Sequence, residues 1–296
     1  MEIIKIESEF DKLSLEAIVA SSDNPKAIVQ IVHGMAEHKE RYLDFINFLV
    51  ENNFAVIIHD HRGHGKSVDK ENHLGHFYTN DIDGIVSDMY TVTKYIKNRF
   101  NNLPLYIFSH SMGTLVTRCY LQKHDNEVEK VILCGPPTKN CLVNFGIFLS
   151  KLRLKNNFKP DNYLDKLTFS SFSKGYKLPY EWICKNEETV KEYMNDPLCG
   201  FIFTSNGFLN LYKLQKTAFL KKKFEVNNKN LKLFVIAGEY DPVIINKKKF
   251  NRLVKFLNKV GYNEIESKLY PELRHELLNE KEHLDIYKDV LNFLND

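Results

Sequence analysis

Apolar and polar residues recur along the chain with two different periods. Short apolar runs rich in β-branched residues indicate buried strands, and they cover residues 27–32, 55–59, 105–108, 131–134, 231–237 and 265–270. Apolar residues spaced three and four apart predict helices over residues 42–51, 84–100 and 250–260, and a closing helix over about residues 277–294. Residues 3–6 and 15–19 predict a hairpin at the start. Because strands alternate with helices, the pattern indicates an α/β fold with a mostly parallel sheet.

This alternation stops between residues 136 and 228. The stretch contains helical patterns but no convincing strand, and it separates two strands of the predicted sheet. We therefore expect a core made of residues 1–135 and 229–296. Residues 136–228 would form a helical insertion over one end of the sheet, not an independent domain.

Composition narrows the class of protein. With 296 residues, of which 43% are hydrophobic, the chain can bury the core of one large α/β domain. A net charge of only +3 does not indicate a nucleic-acid-binding protein. The five cysteines lack CxxC spacing, which predicts neither a disulfide framework nor a zinc site and favours a reducing compartment. Since no signal-peptide pattern and no membrane-spanning run is evident, we expect a cytoplasmic enzyme.

A candidate nucleophile lies between a predicted strand and a predicted helix. The string Ser109-His110-Ser111-Met112-Gly113 follows the strand at 105–108 and precedes helical spacing over 112–123. A sharp strand-to-helix turn with serine at its apex is the nucleophile elbow of serine hydrolases. The string alone is weak evidence, because similar strings occur by chance. A serine hydroxyl also requires a neighbouring base and an orienting acid.

Chain order narrows the partners of Ser111. In hydrolases with this elbow the acid comes next and the histidine last. His275 and His283 follow the last strand-end acid, and His283 falls inside the closing helical pattern, so His275 is the expected base. Asp241, in the turn after a strand, is the expected acid, and Glu239 is its close competitor. Taken singly, Asp241 would more often be a helix N-cap and His275 a surface or capping histidine.

The oxyanion of an acyl-transfer reaction needs backbone N–H donors. One is expected from Met112, the residue after the nucleophile. The other is expected from Met35, in the His33-Gly34-Met35 loop after a strand, where glycine allows close approach of the backbone. Glu37 and Arg41, four residues apart, are expected to pair and brace this loop.

Six strings occur in a fixed order along the chain: His33-Gly34-Met35-Ala36-Glu37-His38 with Arg41-Tyr42, Asp60-His61-Arg62-Gly63-His64-Gly65-Lys66-Ser67, His110-Ser111-Met112-Gly113, Asn195-Asp196-Pro197-Leu198, Gly238-Glu239-Tyr240-Asp241-Pro242-Val243, and Arg274-His275-Glu276. With these strings the sequence resembles the α/β-hydrolase superfamily. More narrowly, it is similar to the monoacylglycerol lipase and lysophospholipase group of serine hydrolases.

That resemblance implies Ser111 as nucleophile, His275 as base, Asp241 as orienting acid, and Met35 and Met112 as oxyanion donors. It also implies that residues 136–228 form a helical cap over an acyl-binding pocket. One position departs from the family, which usually has glycine where this chain has Ser109. Serine is small enough for the crowded turn to tolerate it.

The predicted cap contains a basic and apolar segment. Residues 138–160 include no Asp or Glu, and their cations are Lys139, Lys151, Arg153, Lys155 and Lys159. Such a segment can lie in a membrane interface and attract anionic lipid. The alternative is that its apolar side packs on the core while the lysines are solvated.

The sequence therefore predicts a serine carboxylic-ester hydrolase acting on monoacylglycerols or lysophospholipids, without cofactor or metal. Its expected partners are a small amphiphilic ester and, through the cap, a membrane surface. A thioesterase, an aminopeptidase or a perhydrolase would use the same triad. A non-catalytic ligand receptor with this fold is the alternative from another class. Acyl length, head group and oligomeric state stay open.

Overall fold

The computed structural model describes residues 1–154 and 158–296. One eight-stranded sheet organises the molecule. Its strands are β1 (Glu2–Glu7), β2 (Ser14–Ser21), β3 (Ala27–Val32), β4 (Phe54–His59), β5 (Leu105–His110), β6 (Lys130–Cys134), β7 (Lys232–Gly238) and β8 (Glu264–Tyr270). Their order across the sheet is β1-β2-β4-β3-β5-β6-β7-β8. The β1–β2 and β2–β4 pairs are antiparallel and the others parallel, which confirms the predicted hairpin and mostly parallel sheet.

Helices cover both faces of the sheet. The α-helices in the described part of the chain are α1 (Leu43–Glu51), α2 (Asp83–Arg99), α3 (Met112–His124), α4 (Val143–Arg153), α5 (Asn162–Phe169), α6 (Glu187–Asn195), α7 (Ser205–Thr217), α8 (Lys247–Val260) and α9 (His283–Asn295). Apolar residues of α2, α3 and α8 belong to the core on one face, and those of α1 and α9 to the core on the other. The closing helix begins at His283, later than predicted, since residues Leu277–Asn279 form a short 3₁₀ turn before it.

The central strands are buried on both faces. Every residue of β3, β4, β5 and β6 is buried. This explains why these strands appear in the sequence as continuous apolar runs and not as alternating patterns. It also means that the polar residues at their carboxyl ends meet along one edge of the sheet, where ligands bind in open α/β sheets.

The segment between β6 and β7 carries α4, α5, α6 and α7, and we call it the inserted segment. Within its described residues the only strand-like pairing is an isolated bridge between Pro160 and Thr204. Helix α4 packs along α7, and α7 also contacts α3 of the core. In the described ranges, 1–154 and 158–296, no helix is both long enough and apolar enough to cross a bilayer.

Candidate active site

Ser111 occupies a strained turn between β5 and α3. Strand β5 ends at His110 and α3 begins at Met112, so Ser111 is the single connecting residue. Its φ of 50° and ψ of −120° lie in a region of backbone conformation that residues other than glycine rarely adopt. A Cβ at Gly113 would lie 2.2 Å from the carbonyl oxygen of Val32, so glycine is required beside the turn. The strain presents the Ser111 hydroxyl at the edge of the sheet.

Ser109, the position that departs from the family pattern, is accommodated by a specific hydrogen bond. The side chain is buried, and its Oγ donates to the carbonyl oxygen of Ile132 on β6 at 3.0 Å. Because a buried hydroxyl that is hydrogen-bonded carries little penalty, serine fits here without distorting the turn.

The structure brings Ser111, His275 and Asp241 into one hydrogen-bonded line. The Nε2 atom of His275 lies 2.7 Å from Ser111 Oγ, and its Nδ1 lies 2.9 Å from Asp241 Oδ2. His275 and Asp241 are 3% and 2% exposed, so water competes little for these bonds. Glu239, the competing acid from the sequence, is exposed. This geometry fits a serine activated by a histidine whose tautomer an acid fixes.

Asp241 has two structural roles. Its Oδ1 accepts a hydrogen bond from the backbone N–H of Val243 at 2.8 Å and so caps the 3₁₀ helix Pro242–Ile244. Its other oxygen, Oδ2, faces His275. The N-cap and acid interpretations therefore hold together, because the cap fixes the carboxylate in the orientation that meets the imidazole.

The loop of residues 33–38, which we call the oxyanion loop, is organised by one carboxylate. Glu37 Oε1 accepts hydrogen bonds from the backbone N–H of Gly34 at 2.5 Å and from Tyr42 Oη at 3.0 Å, and it lies 3.0 Å from His110 Nδ1. These bonds hold the loop beside Ser111. Met35 and Met112 line the same cavity as Ser111, as oxyanion donors would have to.

Charges around Glu37 are balanced within the site. Burial alone would raise the pKa of Glu37, but the hydrogen bond with His110 and the charges of His110 and Arg41 hold that pKa well below its usual range. Burial alone would lower the pKa of His110, but Glu37 raises it. Each group therefore favours the charged form of the other in a water-poor site.

Arg41 connects the oxyanion loop to residues 274–276, which we call the histidine turn. Its guanidinium donates to Glu37 Oε2 at 2.9 Å and makes two hydrogen bonds of 2.7 Å to Glu276, the residue after His275. The sequence predicted the Glu37–Arg41 pair but missed Glu276 and His110. Glu276 lies 235 positions from Arg41, so no local pattern could reveal the contact. The one available signal was that both missed residues directly flank a candidate catalytic residue.

Part of the inserted segment contacts both loops. The backbone carbonyl of Ala36 accepts hydrogen bonds from Tyr193 Oη at 3.0 Å and from the N–H of Gly200 at 2.9 Å. On the other side, the N–H of Glu276 donates to the carbonyl of Ile183 at 2.7 Å. The inserted segment thereby fixes the backbone of the oxyanion loop and of the histidine turn.

A cavity of about 730 Å³ opens at Ser111, between the core and the inserted segment. Its volume falls within the range of about 300–1,000 Å³ found for small-molecule sites. Apolar side chains supply much of its wall: Leu115, Phe169, Phe172, Trp182, Phe201, Leu211 and Val243. Polar groups also reach it, among them Asn140, Asp165, Thr168 and Gln215. Such a lining suits a molecule with one apolar and one polar part.

Helix α4 turns much of its apolar side away from the core. The residues it buries are the small Gly146 and Ser150. Its large exposed side chains, with the residue that precedes the helix, are Leu142, Phe145, Phe148 and Leu152, each more than half exposed. The alternative in which the apolar side of this segment packs entirely on the core is therefore wrong for these residues. Of the basic residues predicted to accompany them, Lys155 lies outside the described residues.

The chain matches known proteins along most of its length. The model of a family described as serine aminopeptidase S33 matches residues 23–282. A monoacylglycerol lipase of Mycolicibacterium smegmatis is 23% identical over 278 residues, 92% of this chain and 89% of the relative. The phospholipase YtpA of Bacillus subtilis is 25% identical over 280 residues, 92% of this chain and 96% of the relative.

Solved structures share the fold. A thermostable carboxyl esterase from Bacillus coagulans, in complex with glycerol, matches with a TM-score of 0.89 at 24% identity, covering 99% of this chain and 97% of that one. A soluble variant of the monoglyceride lipase from Saccharomyces cerevisiae matches with a TM-score of 0.75 at 20% identity, covering 99% and 94% of the two chains. These similarities show the α/β-hydrolase fold.

Proposed function

The chain belongs to the serine aminopeptidase S33 family of serine hydrolases, and we propose that it hydrolyses carboxylic esters of singly acylated lipids, either monoacylglycerols or lysophospholipids. The observation that carries the proposal is the hydrogen-bonded line of Ser111, His275 and Asp241 at the mouth of a cavity of about 730 Å³ with a largely apolar wall. The named activities of the two long-matching relatives, a monoacylglycerol lipase and a phospholipase, support the same substrate class.

In the proposed reaction His275 accepts the proton of Ser111 as its Oγ attacks the ester carbonyl. The carbonyl oxygen becomes an oxyanion and accepts hydrogen bonds from the backbone N–H groups of Met35 and Met112. His275 then donates its proton to the alcohol, which leaves. Water, activated by His275 in the same way, attacks the acyl-serine and releases the fatty acid. Asp241 keeps the imidazole oriented and stabilises its charged form.

We propose that residues 136–228 act as the cap of this site. The cavity is bounded on one side by Met35, Leu115 and other core residues and on the other by α5, α7 and the residues between α5 and α6. An acyl chain in this cavity would leave the alcohol part near the polar lining. The cap, not the core, would then determine which acyl chain and head group fit.

The exposed apolar side chains of α4 support a lipid surface as the partner of the cap. Leu142, Phe145, Phe148 and Leu152 recur at helical spacing, and Lys139, Lys151 and Arg153 flank them. An apolar stripe bordered by cations suits the boundary between acyl chains and anionic head groups. We propose that the enzyme collects its substrate there as a peripheral protein. All five cysteines are free thiols, which supports a reducing, cytoplasmic setting.

A substrate panel tests the proposal. Monoacylglycerols, lysophospholipids and short p-nitrophenyl esters should all be cleaved by the wild-type protein, with long-chain monoacyl lipids preferred. The Ser111→Ala variant should lose at least about 10⁴-fold in kcat on each of them, as removal of a triad member does. Turnover that survives in Ser111→Ala would refute the acyl-serine mechanism, and turnover of short esters alone would refute the lipid substrate.

The family description points to a second candidate, cleavage of an amino-terminal peptide bond. Asp165 offers the cavity a carboxylate that a substrate ammonium group could pair with. Aminoacyl p-nitroanilides test it, and we expect them to be poor substrates. A fluorophosphonate probe reacts quickly only with an activated serine. Rapid labelling of Ser111 would therefore indicate an esterase, aminopeptidase, thioesterase or perhydrolase, whereas a non-catalytic ligand receptor would not be labelled.

A further inference from the structure

A histidine, an aspartate and a cysteine meet where the oxyanion loop touches the inserted segment. The Nε2 atom of His38 lies 2.8 Å from Asp196 Oδ2. With the sulfur of Cys199, these donor atoms all lie within 4.8 Å of one another. Across residues 1–154 and 158–296, no other group of three or more His, Cys, Asp and Glu side chains meets this condition. The triad and the oxyanion chemistry do not use any of the three residues.

We propose that His38, Asp196 and Cys199 form a binding site for a zinc ion. An imidazole nitrogen, a thiolate sulfur and a carboxylate oxygen together suit Zn²⁺, whereas Ca²⁺ and Mg²⁺ take oxygen ligands. Ligand bonds of about 2.0–2.3 Å in a tetrahedron place donors roughly 3.3–3.6 Å apart. The present separations, from 2.8 Å between His38 Nε2 and Asp196 Oδ2 to at most 4.8 Å, bracket these values. Three protein ligands leave the fourth position to water.

The ligands are already oriented by neighbouring groups. A metal-ligating histidine usually donates its other ring N–H to a carboxylate, and His38 Nδ1 lies 2.6 Å from Glu40 Oε2. Asp196 Oδ1 accepts the backbone N–H of Leu198 at 2.8 Å, which leaves Oδ2 for the ion. The N–H of Cys199 donates to the carbonyl of Asp196 at 3.0 Å, so one tight turn supplies two ligands.

Charge and access also fit a dication. Zn²⁺ would displace the proton shared by His38 Nε2 and Asp196 and the thiol proton of Cys199, and both protons would pass to solvent. Asp196 and the thiolate then balance the two positive charges. The nearby Arg41 is already paired with Glu37 and Glu276. The Asp196 side chain is 31% exposed, which gives an ion a route from solvent.

The ion would join two segments that are far apart in sequence. His38 belongs to the oxyanion loop, and Asp196 lies 158 residues later in the inserted segment. Gly200, next to Cys199, donates to the carbonyl of Ala36 in the same loop. Zinc would therefore hold the inserted segment against the oxyanion loop. Cysteine spacing could not reveal this site, since a single cysteine contributes to it.

Cobalt spectroscopy of the chelator-treated full chain tests the proposal, with Co²⁺ as the coloured substitute for Zn²⁺. The wild-type protein should bind one Co²⁺ with a thiolate-to-cobalt charge-transfer band and the strong visible bands of four-coordinate cobalt. One equivalent of Zn²⁺ should remove them. Cys199→Ser should abolish the charge-transfer band, whereas the matched control Cys141→Ser, at an exposed free cysteine, should retain it.

A variant of Glu40, whose carboxylate contacts the proposed ligand His38, keeps the test decisive if Cys199→Ser unfolds. Glu40→Gln should weaken Co²⁺ binding about 10–100-fold, as loss of a histidine-orienting carboxylate does. Unchanged affinity in Glu40→Gln would overturn the proposal. So would a wild-type spectrum without a charge-transfer band, or a band lost in Cys141→Ser and kept in Cys199→Ser. Fluorophosphonate labelling of Ser111 in each variant separates a failed zinc site from a failed hydrolase.

Discussion

The inserted segment has two parts that differ in what they contact. Residues 178–204, the anchored part, bond to the oxyanion loop and the histidine turn and carry a small buried cluster of their own: Ile183, Cys184, Val190, Tyr193 and Cys199. The described residues of 142–169, the exposed part, pack through small residues of α4 and turn aromatic and leucine side chains outward. Both parts line the cavity, but among the described residues of the two parts only those of the anchored part bond to the oxyanion loop and the histidine turn.

We therefore expect the anchored part to position the reacting groups and the exposed part to provide access to a lipid surface. Hydrogen bonds to the backbone of the two loops hold reacting groups in place, and small displacements there reduce rates strongly. Exposed apolar side chains do not position reacting groups, yet they gain free energy when a lipid surface covers them. Substitutions in the two parts should therefore change different measurements.

Lowering the pH should have the largest effect on the free energy of unfolding, because it acts on three histidines buried in the core beneath the oxyanion loop. Burial lowers the pKa of His59 to about 4 and those of His61 and His64 to about 3. Since unfolded histidine titrates near 6.5, the unfolded chain binds protons below this pH that the folded chain does not. The contribution of these three histidines to the free energy of unfolding should be complete above pH 6.5 and should decrease, by about 1 kcal/mol per pH unit for each histidine, toward pH 4.

Urea unfolding at pH 7, 6 and 5 measures this loss. His59→Leu serves as the control, because both ring nitrogens of His59 lack a partner among the described residues, and the variant should show a shallower pH dependence. Equal urea midpoints at pH 7 and pH 5 in the wild-type protein would contradict the prediction.

Arg41→Ala should break the link between the oxyanion loop and the histidine turn. It removes the guanidinium that pairs with the buried carboxylates of both Glu37 and Glu276, which should destabilise the fold by about 3–5 kcal/mol. The pKa of Glu37 should rise toward its usual range. Chemical denaturation gives the stability, and kcat on a short ester gives the activity. Arg41→Lys keeps the charge but loses the bidentate hydrogen bond to Glu276, so its stability and activity should lie between those of the wild type and Arg41→Ala. Wild-type stability in Arg41→Ala would contradict a role of Arg41 in linking the oxyanion loop to the histidine turn.

Replacing Phe145 and Phe148 by serine should affect only the exposed part. If each ring enters the lipid boundary, the double variant loses about 1.5–3 kcal/mol of membrane affinity per side chain. Vesicle co-sedimentation and hydrolysis of vesicle-borne monoacylglycerol should decrease together. Turnover of a soluble short ester should stay the same, and unfolding free energy should change by less than about 0.5 kcal/mol. Unchanged sedimentation would show that α4 is not the lipid contact.

Tyr193→Phe should give the smallest effect and compare the two parts directly. It removes the hydroxyl that donates to Ala36 in the oxyanion loop, while Gly200 still donates to the same carbonyl. We expect a loss of about 1 kcal/mol in stability and a severalfold lower kcat. Tyr163→Phe, on the exposed part, is the matched control and should change neither. Equal behaviour of the two variants would mean that the parts do not differ as proposed.

The strands and core helices could be predicted because their signals are local. A buried parallel strand needs a continuous apolar run, and a core helix needs apolar residues every three or four positions. The late start of α9 was missed because Leu277 and Leu278 fit the helical period while they belong to a 3₁₀ turn. For the site, chain order and strand ends selected Ser111, Asp241 and His275, and the structure places His275 within hydrogen-bonding distance of both Ser111 and Asp241.

The sequence by itself determined the α/β architecture, the position of the nucleophile turn and the order of its candidate partners. Only the tertiary structure decided which distant residues support them: Glu276 with Arg41, His110 with Glu37, Tyr193 with Ala36, and His38 with Asp196 and Cys199. It also decided that α4 exposes much of its apolar side. The physical reason is that periodicity records which face of an element is apolar. The partner that covers that face, or bonds to a given side chain, depends on how distant segments pack.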